Sequence, residues 1–331
     1  MKVLFLGGTG TISNCVSRMA VARGFDLYLL NRGQRQTELP GAHCLVADVQ
    51  KPEEVRTALR GLRFDVVVDW IAYRPEHIER DLALFGGAVG QYIFISSASA
   101  YQKPPARYLI TESTPLANPF WDYSRDKIAC EERLLRAYRQ EGFPVTIVRP
   151  SLTYETGFPV VFGGGGCYTL ADRLLKGRPI IVHGDGSSLW VVTHAEDFGR
   201  GFLGLLGNDL ALGHAFHITT DEVLTWNQIH QTIAAALGVK ANIVHIPSDL
   251  ISRLKPARAG GLLGDKSWSV VFDNTKIKSF VPAFQALIPF REGIRRTLAW
   301  FDADPSRKRV DESLNEEMDD LIAGCAAPGS G

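Results

Sequence analysis

The chain has 331 residues, of which 45% are hydrophobic and 22% are charged, a balance that is ordinary for a globular protein. Lysine and arginine together number 36, aspartate and glutamate also number 36, and the formal net charge is zero. This balance argues against binding of nucleic acid or of an anionic membrane through bulk electrostatics. No apolar run approaches the roughly 18 residues of a membrane span, and Met1 leads directly into a predicted strand, without a secretory leader.

The cysteines give no sign of a metal site or of a disulfide framework. The five of them are scattered without metal-type spacing, at Cys15, Cys44, Cys130, Cys167 and Cys325. Their odd number and the lack of a leader indicate free thiols in a reducing environment. We therefore expect a cytoplasmic protein with no bound metal.

The first motif is the stretch 3–13, VLFLGGTGTIS, which predicts a buried strand, a glycine turn and the start of a helix. Gly7 lets the chain turn off the strand end, and Gly10 leaves no Cβ where backbone would approach a pyrophosphate. The helix that begins near Thr11 and Ile12 would direct free N–H groups and its positive dipole end at that pyrophosphate. Ser13 stands where a third glycine is usual. This order of residue types predicts a dinucleotide-binding unit.

Strand and helix patterns then alternate along the first half of the chain. Strands are predicted at 2–6, 26–30, 43–47, 64–69, 91–95 and 145–148, and helices at 12–23, 52–59, 75–88 and 122–140. Nearly continuous apolar strands separated by helices are typical of a parallel sheet that is covered on both faces. The fold class is therefore α/β: a doubly wound Rossmann sheet in residues 1–150.

The second half of the chain is less regular. Residues 155–167 are rich in glycine and 256–265 read as a loop, while helices are predicted at 291–302 and 311–322. We expect parts of 190–250 to return to the Rossmann domain and 151–325 to form mostly a smaller, C-terminal substrate-binding cap. Residues 326–331 should be a disordered tail.

The residues after the second strand bear on the choice of cofactor. An acidic side chain there would hold both ribose hydroxyls of NAD, whereas this chain has Asn31 and Arg32, with Arg35 nearby. Cationic side chains suit a 2′-phosphate, so NADP is the first choice and NAD the second. The alternative is that both arginines are solvated loop residues.

The second motif is Tyr123–Lys127, YSRDK, on the predicted helix 122–140. Residues i and i+4 share a helix face, and an ammonium one turn from a phenol can lower the pKa of that phenol. Such a tyrosine can exchange a proton with a substrate hydroxyl during hydride transfer. A strand that ends in serines precedes the motif, so Ser97 is the expected partner of the reacting oxygen and Ser99 the alternative.

These features together resemble the extended branch of the short-chain dehydrogenase/reductase superfamily, the NAD-dependent epimerase/dehydratase family. The resemblance covers nearly the whole chain: GGTGTIS at 7–13, SSASAY at 96–101, YSRDK at 123–127, VRPSLTY at 148–154, HGDG at 183–186 and LTWNQI at 224–229. It implies a catalytic triad of Ser97, Tyr123 and Lys127. The cofactor-binding residues that it implies are Gly7, Gly10, Thr11, Ile12, Asn31, Arg32, Asp48, Val49, Ile71, Ala72, Lys127, Pro150 and Ser151.

Departures from the family pattern narrow the reaction and the substrate. Dehydratases and decarboxylases of this branch carry carboxylates just after the catalytic Ser or Thr, where this chain has Ala98 and Ser99. After HGDG the family tends to place an arginine that grips a diphosphate, whereas here the sequence is Ser-Ser-Leu-Trp at 187–190. A sugar or sugar-like substrate without a nucleotide becomes plausible. The expected substrate-binding residues are Ser99, Tyr101 and Trp190, although Trp190 also fits a core position.

Three functions stay open at this point. The first is a sugar epimerase or oxidoreductase that acts at a carbinol carbon; a roomy glycine-rich cap at 157–166 would let a keto-sugar turn over. The second is a net NADPH-dependent carbonyl reductase or dehydrogenase. The third is a non-catalytic relative that binds RNA, which the intact triad and the neutral charge disfavour. Extended-branch relatives pair two helices per subunit, so a homodimer through 75–88 and 122–140 is expected, with no nucleic-acid or membrane partner.

Overall fold

The computed structural model describes residues 1–34 and 39–326, with the side chain of residue 326 excepted. The predicted contribution of Arg35 and residues 327–331 of the predicted tail at 326–331 lie outside this range, whereas residue 326 ends a helix. A seven-stranded sheet dominates the first half of the chain, and all its neighbouring strands are parallel. The Rossmann prediction is confirmed.

The bounds of the elements agree with the predicted alternation to within a few residues. The strands are β1 (Lys2–Leu6), β2 (Asp26–Asn31), β3 (His43–Val46), β4 (Phe64–Asp69), β5 (Val89–Ile95), β6 (Leu109–Ile110), β7 (Val145–Val148), β8 (Thr153–Tyr154), β9 (Ile180–His183), β10 (Leu189–Trp190), β11 (Thr193–His194), β12 (Ala215–Phe216), β13 (Leu224–Thr225), β14 (Ile243–Ile246) and β15 (Val271–Phe272). The helices are α1 (Thr11–Ala22), α2 (Pro52–Ala58), α3 (Pro75–Phe85), α4 (Asp122–Glu141), α5 (Thr169–Leu175), α6 (Ala195–Leu203), α7 (Trp226–Ala236), α8 (Ser248–Leu254), α9 (Ala259–Gly261), α10 (Thr275–Phe280), α11 (Phe290–Asp302) and α12 (Glu312–Ala326). Short 3₁₀ turns occupy Ala98–Ala100, Asp209–Ala211, Pro256–Arg258 and Pro305–Arg307, and a π-helix spans Leu262–Lys266.

Both faces of the large sheet are buried, as continuous apolar strands require. Val3 and Phe5 of β1 pack with Val16 of α1 and Phe202 of α6 on one face. Leu4 and Leu6, which alternate with them, pack on the other face in a cluster that includes Cys130 and Leu134 of α4. The strand order of the large sheet is β12-β7-β5-β4-β1-β2-β3. This order places a topological switch between β1 and β4, where a crevice opens beyond the carboxyl ends of the strands.

The second half of the chain divides between the sheet and a separate core. β12 adds the last strand of the large sheet, and α6 packs against α1 in the cluster on one face. The paired strands β9–β14 and β10–β13 belong instead to small two-stranded sheets. Around them lies an aromatic core that includes Trp190, Trp226 and Phe301.

One expectation about an irregular segment was wrong, and another stays a prediction. Within residues 157–166, an added Cβ would lie 2.3 Å from the Gly165 oxygen at Gly157 and 2.5 Å from the Val160 oxygen at Gly164, whereas Gly165 and Gly166 are exposed and have no neighbour within 4 Å. The glycines at 157 and 164 allow backbone to meet backbone. Room for a substrate to turn beside this segment stays a prediction. Residues 256–265 are not a loop: they form a 3₁₀ turn, α9 and most of the π-helix. No helix in the described part of the chain is both long and apolar enough to cross a membrane.

Candidate active site

A cleft of about 550 Å³ opens at the switch between β1 and β4. The glycine turn after β1 forms its floor, the ends of β2 and β3 form one wall, and the segment after β4 forms the other. Its lining includes the predicted residues Gly7, Gly10, Asn31, Arg32, Asp48, Val49 and Ile71. Sequence motifs as far apart as Gly7 and Ile71 therefore meet at one site, at the position expected for a dinucleotide.

The turn itself demands glycine at two positions. Gly7 has φ +94° and Gly8 φ +95°, and an added Cβ would lie 2.9 Å from Cγ2 of Ile71 and 2.8 Å from Cδ2 of Leu29, respectively. At Gly10 an added Cβ would meet nothing closer than Oγ of Ser13 at 3.4 Å, so this residue adjoins the open cleft. The Ser13 Oγ accepts a hydrogen bond from the Gly10 N–H at 2.9 Å. The predicted third-glycine position thus caps the helix.

The first turn of α1 fits an anionic group. Thr11 and Ile12 open this 12-residue helix, and N–H groups in a first turn have no intrahelical acceptor. Thr11 is exposed and Ile12 is half-buried. The cradle therefore fits the pyrophosphate of a dinucleotide, with the positive end of the helix dipole directed at it.

The far end of the cleft holds the residues predicted for the adenosine. Asn31 ends β2, and its Oδ1 accepts a hydrogen bond from the Gly33 N–H at 2.9 Å. Arg32 is exposed at the rim, and Val49 is buried. The Asp48 carboxylate accepts a hydrogen bond from the Gln50 N–H at 3.0 Å, which orients the loop. The site thus offers a cation to the ribose region and an apolar surface to a base.

The buried carboxylate of Asp69 holds the segment after β4 through two hydrogen bonds. Oδ1 of Asp69 accepts hydrogen bonds from the N–H groups of Ile71 at 2.7 Å and Ala72 at 2.8 Å. Ile71 lines the cleft, whereas Ala72 is fully buried. The contribution of Ala72 is its carbonyl oxygen, which accepts a hydrogen bond from Nζ of Lys127 at 2.6 Å.

Ser97 is placed by the strand end that precedes it. It follows β5 and caps the short turn Ala98–Ala100, where its Oγ accepts a hydrogen bond from the Ser99 N–H at 3.2 Å. Its Oγ also lies 2.9 Å from Oγ of Ser99, which in turn accepts a hydrogen bond from Oγ of Ser124 at 2.8 Å. Ser97 is half-buried and Ser99 only 3% exposed. Ser99 therefore lies on the buried side of Ser97 and helps to orient its hydroxyl.

Tyr123 and Lys127 occupy the first turns of α4, and the Ser97 side chain lies close enough to the Tyr123 phenol to act on its pKa. The ammonium of Lys127 is buried, donates to the carbonyls of Ala72 at 2.6 Å and Ile95 at 2.7 Å, and lies 5.8 Å from the ring centroid of Tyr123. The structure thus brings the three predicted catalytic residues together.

The protonation of this group differs from the expectation. Burial raises the pKa of Tyr123 to about 12, and the nearby Ser97 hydroxyl opposes this increase. Burial lowers the pKa of Lys127 to about 8, against the opposing charge of Asp69. The predicted lowering of the pKa of the Tyr123 phenol by Lys127 does not occur in the protein alone. Desolvation has the largest effect on that pKa, and the Lys127 ammonium donates its hydrogen bonds to two carbonyls.

Pro150 and Ser151 lie beside the Ser97 turn rather than in the lining of the cleft. The carbonyl of Pro150 accepts a hydrogen bond from the Ala98 N–H at 2.9 Å. Pro150 is buried and Ser151 half-buried. This position fits the nicotinamide end of the site, since it adjoins the turn that presents Ser97.

Two of the three predicted substrate-binding residues are core residues instead. Tyr101 is 0% exposed, its hydroxyl lies 2.9 Å from Nδ1 of His217, and its ring stacks under the guanidinium of Arg149. Trp190 is 1% exposed and packs against Trp226, with ring centroids 5.3 Å apart. Neither ring offers a free face to a substrate, so the core alternative for Trp190 is the correct one.

Sequence reasoning missed several residues around the site. Tyr73 and His77 line the cleft, and Nδ1 of His77 accepts a hydrogen bond from the Tyr73 N–H at 3.1 Å. The ring centroid of Trp121 lies 4.9 Å from that of Tyr123, and that of Tyr73 lies 6.3 Å from it. The one signal in the sequence for the contact of Trp121 with the site was its position two residues before Tyr123.

The remaining histidines have structural contacts. His194 caps α6, its Nδ1 accepting from the Glu196 N–H at 3.2 Å, and Nε2 of His183 bonds the Lys266 carbonyl at 3.0 Å. Over residues 1–34 and 39–326 no group of three or more His, Cys, Asp or Glu side chains is arranged to hold a metal ion.

Comparisons with known proteins agree with this geometry. The sequence model of the NAD dependent epimerase/dehydratase family matches residues 3–218. The chain is 26% identical over 289 residues to 2′-dehydrokanamycin reductase of Streptomyces kanamyceticus, covering 86% of this chain and 80% of that protein. It is 29% identical over 260 residues to a chloroplast stem-loop binding protein of 41 kDa from Arabidopsis thaliana, covering 74% of this chain and 65% of that protein.

The fold has solved counterparts. The structure of the epimerase Mth375 from Methanothermobacter thermautotrophicus superposes with a TM-score of 0.75 at 16% identity, over 95% of this chain and 94% of that one. The family match spans both the glycine turn and the Tyr123–Lys127 motif. The chain therefore belongs to the NAD dependent epimerase/dehydratase family and is an enzyme of the extended short-chain dehydrogenase/reductase type.

Proposed function

We propose that this enzyme transfers a hydride between NADP(H) and a secondary carbinol or ketone of a sugar-like small molecule. The observation that carries the proposal is the meeting of Ser97, Tyr123 and Lys127 beside the dinucleotide cleft. When bound, the cofactor supplies the hydride acceptor or donor. The protein supplies the proton transfer and the orientation of the reacting oxygen.

The roles of the three residues follow from their contacts. Tyr123 exchanges a proton with the substrate oxygen, while Ser97 donates a hydrogen bond that holds that oxygen. Because burial holds the pKa of Tyr123 near 12, its neutral form dominates in the protein alone, and a neutral phenol is ready to donate a proton to a developing alkoxide. Lys127 holds the segments at Ala72 and Ile95 through hydrogen bonds to their carbonyls. Its ammonium also carries positive charge close to the ring of Tyr123.

Net reduction takes precedence over epimerisation because of the similarity to a reductase. The similarity to 2′-dehydrokanamycin reductase extends over 86% of the chain. We keep epimerisation at a carbinol carbon as the second candidate because it uses the same triad.

NADP is the proposed cofactor in preference to NAD. Asn31 ends β2 where an acidic side chain would suit NAD, and Arg32 stands at the rim of the cleft. A guanidinium can bind a 2′-phosphate through paired, charge-assisted hydrogen bonds. RNA binding is not proposed, because 36 basic residues are balanced by 36 acidic ones.

The proposal is tested by a panel of keto-sugars, amino-sugar ketones and their alcohols, incubated with NADPH or NADP. Net conversion of free cofactor, in step with product, supports a reductase or dehydrogenase. Substrate deuterated at the reacting carbon identifies the alternative: an epimerase would retain the label in the product without changing the cofactor concentration. Absence of both results over the panel, with properly folded protein, would contradict hydride transfer.

The homodimer expected through α3 and α4 stays a proposal, because part of the apolar surface of these helices packs within the subunit. Helices α3 and α4 lie side by side, but Phe85, Cys130 and Leu134 face their own sheet. The outward surface carries ion pairs such as that between Arg133 Nε and Glu79 Oε1 at 2.6 Å. Light scattering at micromolar concentration should give twice the chain mass, and a monomer mass would contradict the prediction.

A further inference from the structure

Four charged side chains are buried together beside the wall of the cleft that follows β4. Asp69 and Asp81 are 0% exposed, Lys127 is 1% exposed, and the side chain of Arg80 is 8% exposed. Two carboxylates, one guanidinium and one ammonium leave this group formally neutral. Charges that are taken out of water are tolerated when they are paired in this way.

Arg80 and Tyr92 join the two carboxylates of the group. Nε of Arg80 donates to Oδ1 of Asp81 at 2.7 Å, and its Nη2 donates to Oδ2 of Asp69 at 3.5 Å. The hydroxyl of Tyr92 lies 2.6 Å from Oδ2 of Asp81 and 3.3 Å from Oδ2 of Asp69. Burial, with the charge of Asp69 next, raises the pKa of Asp81 well above its usual value. These contacts hold one oxygen of Asp69.

The other oxygen of Asp69 binds the segment that forms the cleft wall. Its Oδ1 accepts hydrogen bonds from the N–H groups of Ile71 at 2.7 Å and Ala72 at 2.8 Å. The carbonyl of Ala72 in turn accepts a hydrogen bond from Nζ of Lys127 at 2.6 Å. The Asp69 carboxylate therefore sets the position of a carbonyl to which Lys127 donates.

The acidic groups that neighbour Lys127 on α4 have other partners or stay neutral. The carboxylate of Glu131 accepts hydrogen bonds from Nε and Nη2 of Arg149 and from Oγ of Ser96. Burial raises the pKa of Cys130 to about 12, so its thiol is neutral near neutral pH. Of the groups that favour the charged form of Lys127, Asp69 has the largest effect, ahead of Cys130 and Glu131.

The other close neighbours of the ammonium are aromatic rings. The ring centroids of Tyr73, Phe94 and Tyr123 lie 4.7, 4.8 and 5.8 Å from Nζ of Lys127. Partial burial raises the pKa of Tyr73, and burial raises that of Tyr123 to about 12, so both phenols are neutral near neutral pH. A ring face attracts a cation without cancelling its charge. The balancing charge is therefore that of Asp69.

We propose that Asp69 is a positioning residue for Lys127, and that Arg80, Asp81 and Tyr92 hold the Asp69 carboxylate in place. This carboxylate balances the buried ammonium and fixes a carbonyl that the ammonium binds. The inference rests on the proposed function, because it names the residue through which Lys127 keeps its charge and its place in that site.

The test follows the titration of Lys127 by NMR in the full chain labelled with [ε-¹³C]lysine, without substrate or cofactor. The resonance is identified by its absence from Lys127→Met, and its wild-type midpoint should lie at about pH 8. Asp69→Asn keeps an acceptor for the two N–H groups but removes the charge. The midpoint should then fall by about half a pH unit or more. An unchanged midpoint would overturn the inference.

Asp197→Asn is the matched control. Asp197 is 0% exposed, accepts hydrogen bonds from the N–H groups of Leu287 and Ile288 at 2.9 Å each, and forms an ion pair with Arg200. The substitution removes the same charge from the same kinds of contacts, but on α6. It should destabilise the chain and leave the Lys127 midpoint in place. An equal shift in both variants would attribute the effect to lost stability and overturn the inference.

Arg80→Gln covers the case in which Asp69→Asn does not fold. Glutamine keeps a donor for Asp81 but removes the positive charge that shares the Asp69 carboxylate with Lys127. The midpoint should therefore rise, by about half a pH unit. General loss of packing would not produce shifts of opposite sign in the two variants. A midpoint that stays or falls in Arg80→Gln would overturn the inference.

The two proposals fail separately, because the NMR titration needs no reaction. If the midpoint falls in Asp69→Asn but the substrate panel shows no hydride transfer, the proposed function alone is wrong. If hydride transfer is found and the midpoint does not move, only the inference about Asp69 is wrong. In an active enzyme, the decline of turnover at high pH should move with the midpoint in Asp69→Asn, and a decline that stays near pH 8 would overturn the inference.

Discussion

The dinucleotide cleft and the substrate side of Tyr123 are lined by different kinds of groups. The cleft is open, and its floor is backbone: a glycine turn and the first N–H groups of α1. The substrate side is formed by side chains that are buried or half-buried, among them Ser99, Asn118 and Trp121. Backbone groups hold any dinucleotide in one way, whereas side chains can be exchanged without disturbing the sheet. The difference indicates that the substrate side sets the specificity of this enzyme.

Replacement of Tyr123 by Phe should have the largest effect. The ring keeps its contacts with Trp121 and Tyr73, while the oxygen that transfers the proton is lost. We expect turnover to fall by about 10²-fold or more, with cofactor affinity unchanged. Steady-state kinetics and cofactor titration measure the two quantities.

Tyr101→Phe provides the control for that change. It also removes a phenol oxygen, but one that bonds His217 in the core. It should lower the free energy of unfolding by about 1 kcal/mol and leave turnover near the wild-type value. If Tyr101→Phe proved as inactive as Tyr123→Phe, the assignment of Tyr101 to the core would be in error.

The second-largest effect on turnover should come from loss of the positive charge of Lys127. A rise in pH removes this charge without a mutation. The pKa of Lys127 lies at about 8, below the usual 10.5, chiefly because of burial. The ammonium is therefore lost as the pH rises through about 8, and turnover should decline there. Lys127→Met should be slow at every pH and should lack this decline. A wild-type profile that is flat between pH 7 and pH 9 would contradict the role of the ammonium.

Arg32→Ala tests the open end of the site and should have a smaller, selective effect. NADP(H) should bind about tenfold more weakly because one charge-assisted contact is removed. The affinity for NAD(H) should barely change, since its ribose carries no phosphate. Fluorescence titration of both cofactors measures the ratio, and a wild type that binds NAD(H) more tightly would refute the preference.

The smallest expected effect is a loss of stability when the pH falls below neutral. His183, His217 and His230 are buried, and burial lowers the pKa of each from 6.5 to about 4. Between these values the unfolded chain binds protons that the folded chain does not, so stability is lost as the pH falls from 6.5 toward 4. The melting temperature should drop over that interval, and less steeply in His230→Gln. An unchanged melting temperature from pH 7 to pH 5 would count against this linkage.

The sequence anticipated the first region far better than the second. Most residues that line the cleft belong to short motifs at strand ends, and parallel strands bring those ends to one edge. The substrate side depends instead on contacts such as that of Asn118 Nδ2 with the Gly264 carbonyl, which join residues far apart in the chain. The π-helix that carries Gly264 has no apolar periodicity, so the segment looked like a loop. Trp190 could be assigned to the core only once its surroundings were known.

Label transfer from the cofactor tests the central claim most directly. NADPH carrying deuterium at C4 of the nicotinamide, on the face that reacts, would be incubated with a ketone from the panel and wild-type enzyme. Mass spectrometry would then locate deuterium in the product. The account predicts one deuterium at the new carbinol carbon, formed about 10²-fold more slowly by Tyr123→Phe. Product without deuterium from either isotopomer of the cofactor, or labelled product formed equally fast by Tyr123→Phe, would contradict it.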